Sequence, residues 1–203
     1  INLYLCCFVL CVFDVATPAL SHLHIKRGTA TVYCIAAIIM GMLEDVFVSE
    51  NLSLNLAGFF MPVALCIWLA IHMSSGELGW CALYTLFVSA GSWACVEILG
   101  QSSDFVHFDI SWARCAAVLL FTLLFTREHM SALVCAQLSF ILSGLAYHAD
   151  LVLSGIPNYW AVGSETELAA TAVLYMGVLC VCQLFSFRKG RKKAGIAAGQ
   201  LNI

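Results

Sequence analysis

Two carboxylates, Asp150 and Glu167, each end a run of polar residues at helical spacing. Ser139, Ser143, Tyr147 and Asp150 follow one another at intervals of four, four and three, so they share one helix face. Glu167, Thr171 and Tyr175 repeat the pattern at intervals of four. Polar groups inside an apolar helix are costly unless they face protein or water. If the two faces meet, Asp150 and Glu167 reach one site, where two nearby carboxylates must share a proton or hold a cation. That arrangement suits a cation or proton site, and it equally suits a paired acid and base around one water. A plainer interpretation stays open: serines and threonines pack helices, and carboxylates cap or flank helix ends.

A second set of candidate ligands lies in Asn51-Leu-Ser-Leu-Asn55-Leu-Ala-Gly58-Phe-Phe-Met-Pro62. Positions 51, 55, 58, 62 and 66 share a face, and Pro62 lacks the amide hydrogen that would bond the Gly58 carbonyl. The spacing therefore predicts a kink or loosened turn between Gly58 and Pro62, with a free carbonyl beside Asn55. Amide and carbonyl oxygens are ligands for hard cations, whereas a simple kink with a small-residue helix contact is the competing interpretation. Glu97 joins this inventory from the outer end of the fourth apolar run, and His107 and His148 add nitrogen donors. No two of these stand at the fixed spacing of a metal motif, so neither a metal nor a cofactor is assigned and solvated loop charges remain the alternative.

The elements that must hold these residues follow from composition. Of 203 residues, 62% are apolar and 10% charged, and the mean hydropathy is +0.95. A soluble domain this size would expose large apolar patches, so lipid is the expected solvent. Crossing roughly 30 Å of hydrocarbon takes about 20 helical residues. Seven apolar runs qualify, at about 3 to 20, 30 to 48, 55 to 73, 78 to 100, 111 to 126, 130 to 149 and 166 to 187. The expected fold is therefore all-α: a polytopic transmembrane helix bundle forming a single domain over 1–187, followed by a basic cytoplasmic tail at 188–203. All 11 cysteines fall in or beside the runs and read as small buried hydrophobes rather than as a disulfide framework.

Lysine and arginine placement sets the orientation. Arg188, Lys189, Arg191, Lys192 and Lys193 follow the last run directly, which puts the C-terminus inside. Counting back places Lys26, Arg27 and Arg127 inside and the N-terminus outside, leaving Arg114 as the single dissenting basic residue. Most acidic residues then fall at the outer face, among them Glu44, Asp45, Glu50, Glu97, Asp109, Asp150, Glu165 and Glu167. The tail is expected to touch anionic lipid, and its shortness and lack of interleaved aromatics argue against nucleic acid.

Enzyme signatures such as HExxH, GxSxG and a glycine-rich phosphate loop are absent, and no lysine within a run could carry a retinal Schiff base. The Asn55-Leu-Ala-Gly58-Phe-Phe-Met-Pro62 segment resembles the "N, x, G, G, x, x, I/V, P" pattern of an uncharacterised bacterial and archaeal membrane family, the sixteen-fourteen domain of unknown function. Ala146-Tyr-His-Ala149-Asp150-Leu resembles the "G-A-D-L" segment of the same family. Val162-Gly163-Ser164-Glu165-Thr166-Glu167 stands where the family has a glycine-rich run, with Glu167 in place of the aspartate. The resemblance implies a compact helical membrane protein and no established activity.

Three functions follow as expectations. The first is binding or transport of a cation or proton-coupled small solute in the cell membrane, through Asp150, Glu167, Asn55, Gly58, Tyr147, Thr171 and Glu97. The second is a non-catalytic subunit of a membrane assembly, or a homo-oligomer. The third is a membrane-embedded hydrolase using Asp150 and Glu167 as paired acid and base.

Overall fold

The computed structural model describes residues 2–13, 20, 23, 25–43, 45–50, 52–100, 109–126, 128–155 and 159–200, with side chains up to Cys182. Among them are seven α-helices and three short strands. They run α1 (Asn2–Val12), α2 (Arg27–Met40), β1 (Val46–Ser49), β2 (Leu52–Leu54), a π-helical turn (Leu56–Phe60), α3 (Met61–Ile71), α4 (Ser75–Gly100), α5 (Ile110–Phe125), α6 (His129–Leu153), β3 (Trp160–Val162) and α7 (Glu165–Gln200).

Local chemistry starts several of these helices. The Ser74 amide and hydroxyl both donate to the Glu77 carboxylate at 2.8 Å, and Glu77 N donates back to Ser74 Oγ, a reciprocal cap that opens α4. Asp109 opens α5 by accepting from Ser111 N at 2.8 Å. Pro62 stands in the first turn of α3, where its missing amide hydrogen leaves no helical bond unmade. The loosened turn expected at Gly58 to Pro62 is present as the π-turn just before it.

Each of the seven apolar runs carries a helix, and among the described residues three helices are long and apolar enough to cross a membrane: Ser75–Leu99, His129–Leu153 and Glu165–Cys182. Arg27–Met40, Leu56–Ile71 and Ile110–Phe125 are apolar but have only 10–17 residues. One boundary needs correction. The second run, expected helical to 48, leaves the helix after Met40 and returns as β1; β2 lies ahead of the third run, which opens with the π-turn. Valine and phenylalanine serve a strand as readily as a lipid-facing helix, which is why the end of the second run read as span. In the small sheet, β1 pairs antiparallel with β2, and β2 pairs parallel with β3 in the register Leu52 to Trp160, Ser53 to Ala161 and Leu54 to Val162. Asp14, Glu44, Asn51, Asp104, His107 and Arg127 lie outside the described residues, as do the side chains of the basic tail.

Helix α6 is the hub, packing on α3, α4, α5 and α7. Its Ala132, Cys135 and Ala136 are fully enclosed, and small side chains let neighbouring backbones come close. Val88, Val118, Leu174 and Val178 complete this core from α4, α5 and α7. Outward, Val32, Ile71, Leu86, Leu120, Leu124 and Met176 are exposed on the helices around it. That apolar exterior is compatible with a membrane location.

Candidate functional site

Glu167 owes its position to the start of α7. Ser164 precedes it by three residues, the spacing of a capping box, and Glu167 Oε2 accepts from the Gly163 amide at 2.8 Å. Its other oxygen, Oε1, accepts from Trp160 Nε1 at 3.1 Å and from the Arg114 guanidinium. Helix α5 supplies that arginine one turn from its start, so three segments converge on one carboxylate. Arg114 is 2% exposed and Glu167 7%, which makes this a buried ion pair rather than a surface bridge.

The space for Arg114 comes from α6. Gly144 lies beside the guanidinium, and a Cβ there would collide with Nη1. The Phe140 ring lies under the same group, 4.2 Å from Cζ to the centroid, a cation–π contact. Trp160 is held in turn by a stacked His148 ring at 4.5 Å and 13°. On the far side Gly58 and Gly163 bring the π-turn and the β3–α7 turn into backbone contact. A Cβ on Gly58 would overlap the Gly163 carbonyl, and Gly163 has φ +78, a conformation that suits glycine.

A cavity of about 10 Å³ lies between these pieces, lined by Gly58, Arg114, Gln137, Phe140, Glu167 and Thr171 among others. That is room for about one water. Two lining residues carry buried polar atoms without a partner among the described residues, Arg114 Nε and Gln137 Oε1, and Gln137 is 2% exposed. One is a donor and the other an acceptor, so a single small group able to accept and donate would satisfy both.

Of the residues singled out from sequence, Glu167, Thr171 and Gly58 line this cavity. Asn55 stands next to it as the cap of the π-turn. Its Oδ1 accepts from Gly58 N and its Nδ2 donates to Asp45 Oδ1, each at 2.7 Å, so its amide is committed to the fold. Asp150, Tyr147 and Glu97 are half-buried and do not line the cavity. The expected pairing of Asp150 with Glu167 is therefore replaced by Arg114 with Glu167. The physical reason is that a buried carboxylate gains far more from a cation than from a second carboxylate. Among the described residues, no group of three His, Cys, Asp or Glu side chains is arranged to hold a metal ion.

Arg114, Gln137, Gly144 and Trp160 were not among the sequence candidates. Arg114 did leave a signal, as the one basic residue that disagreed with the orientation count; Ser164-Glu-Thr-Glu167 left another, as a capping pattern. Comparison with protein-family models, curated proteins and solved structures gives no match to this chain.

Proposed function

We propose that this is a multi-pass integral membrane protein that binds a small proton-coupled solute at the enclosed site around Arg114 and Glu167 and carries it across the cell membrane. The observation behind this reading is the unmet pair, Arg114 Nε and Gln137 Oε1, on residues lining one cavity. A buried donor or acceptor left unsatisfied costs about 1–3 kcal/mol, and an apolar pair of the same shape would avoid that cost. A site that keeps both is suited to a ligand that comes and goes. A bare cation fits less well than a proton-coupled solute, because Arg114 would repel it at close range.

Seven crossings, with the N-terminus outside and the basic tail against anionic lipid inside, belong to the same proposal. The sheet is compatible with that number of crossings, since it joins 46–54 to 160–162, which the charge count puts on one and the same face. The shorter helices would cross with the help of flanking residues or local thinning of the bilayer. A second reading, a subunit of a membrane assembly or a homo-oligomer, draws support from β1, an edge strand exposed along its whole length. The paired-acid hydrolase loses its support, because Glu167 is engaged by Arg114.

The test is thermal unfolding of the detergent-solubilised full chain with sodium, nitrate or acetamide, at pH 5 and pH 8. The expected result is that at least one probe raises the midpoint of the wild type and that Gln137→Leu loses the rise. Unchanged midpoints for all three probes at both pH values would contradict the reading.

A further inference from the structure

We propose that the solute is a small monovalent anion, of the size and shape of a carboxylate or nitrate, which replaces the Glu167 carboxylate on Arg114 as Glu167 takes up a proton. This deepens the preceding reading and rests on it. The argument begins with the donors. The Arg114 guanidinium, the Trp160 indole N–H and the Gly163 amide converge on one carboxylate, and that carboxylate is the chain's own. Such a nest would hold any oxoanion of similar shape. Arg114 has a further N–H at Nε with no acceptor, so the nest offers more donors than Glu167 uses.

Charge then dictates the coupling. Arg114 and Glu167 together are neutral, and both are nearly fully enclosed. Adding an anion would set two negative charges against one guanidinium in a place with little water to screen them. The anion enters when one of those charges is removed. A proton from the aqueous phase adds to a Glu167 carboxylate oxygen and forms the neutral acid, while the anion accepts the hydrogen bonds of Arg114. The site is neutral before and after, with one proton and one anion gained together. The new acid O–H needs an acceptor, and the cavity holds one: Gln137 Oε1, buried and without a donor.

Size sets the ligand class. The cavity of about 10 Å³ admits about one water, so the ligand must use the space that the Glu167 carboxylate vacates. A group much larger than a carboxylate does not fit. A doubly charged anion such as sulfate would leave a net negative charge in the enclosure, and a cation would meet Arg114.

The test uses isothermal titration calorimetry of the detergent-solubilised full chain with nitrate, in two buffers of different ionisation heat. Expected is uptake of about one proton per nitrate, with affinity tightening as the pH falls. Sulfate should not bind. Glu167→Gln, which mimics the neutral acid, should bind nitrate without proton uptake and without pH dependence. Nitrate binding to the wild type with no proton uptake and a flat pH profile would overturn the exchange, as would Glu167→Gln retaining the wild-type pH slope. If that variant does not fold, the wild-type proton count and pH slope decide alone. Sodium or acetamide binding without nitrate binding would overturn the anion class while leaving a solute site; no binding of any of the three would end both proposals.

Discussion

On α6 the Ser139 hydroxyl donates to the Thr85 carbonyl at 3.1 Å and Ser143 to the Phe140 carbonyl at 3.2 Å. On α7 the corresponding stripe begins with Glu167, which draws partners from α5, from β3 and from the turn before its own helix. Both stripes have the same spacing in the sequence, and both are turned inward. Their consequences differ because a hydroxyl is satisfied by one carbonyl, which its own or a neighbouring helix offers, whereas a buried carboxylate also needs a countercharge. The serine stripe seals a helix contact. The glutamate stripe gathers distant segments around itself and leaves a polar cavity beside them.

Substitutions can break that contrast, beginning where the effect is largest. Arg114→Met leaves the Glu167 carboxylate buried without its cation, and the expected loss is about 3–5 kcal/mol in equilibrium unfolding of the detergent-solubilised protein. A loss as small as that of a serine substitution would mean that the two stripes are alike after all. Next come the glycines that let the carboxylate's surroundings close. Gly163→Ala forces a side chain onto φ +78 and into the Gly58 backbone, with an expected cost of about 1–3 kcal/mol by the same unfolding measurement. Gly144→Ala pushes on the Arg114 guanidinium and is expected to cost about 1–3 kcal/mol, a loss that shrinks once Arg114 is already Met. Smallest is Ser139→Ala, which removes the bond from α6 to the Thr85 carbonyl on α4 and is expected to cost about 0.6 kcal/mol, the average for a helix–helix hydrogen bond in a membrane bundle. A larger loss there than for Gly163→Ala would reverse the ranking.

What could be read in advance divides along the same physical line. The helices were legible because each is an apolar run, and a loosened turn beside Pro62 was legible because the proline ring crowds the turn before it. The sheet was not. Val46–Ser49 and Leu52–Leu54 lie among apolar helices of similar composition, and the pairing of Leu52–Leu54 with Trp160–Val162 is fixed by residues more than 100 positions away. Glu167 and Thr171 were found from helical spacing alone, since spacing is local. The partner of Glu167 was missed because consecutive antiparallel helices pointed to Asp150, while the contact that matters joins α5 to α7 across 53 positions. Arg114 was visible as an anomaly in the charge count. It is a long side chain near the start of α5 turned inward, and nothing local to it reports the Gly144 opening that receives it.

The pairing of Arg114 with Glu167 is the claim on which the site depends, and a double-mutant cycle measures it. Arg114→Met, Glu167→Gln and the double variant would be compared with the wild type by equilibrium unfolding in one detergent. The expected coupling is about 2 kcal/mol or more, with the double variant more stable than Arg114→Met alone, because the second change removes the stranded carboxylate. Losses that simply add would contradict the pairing and with it the site built around it.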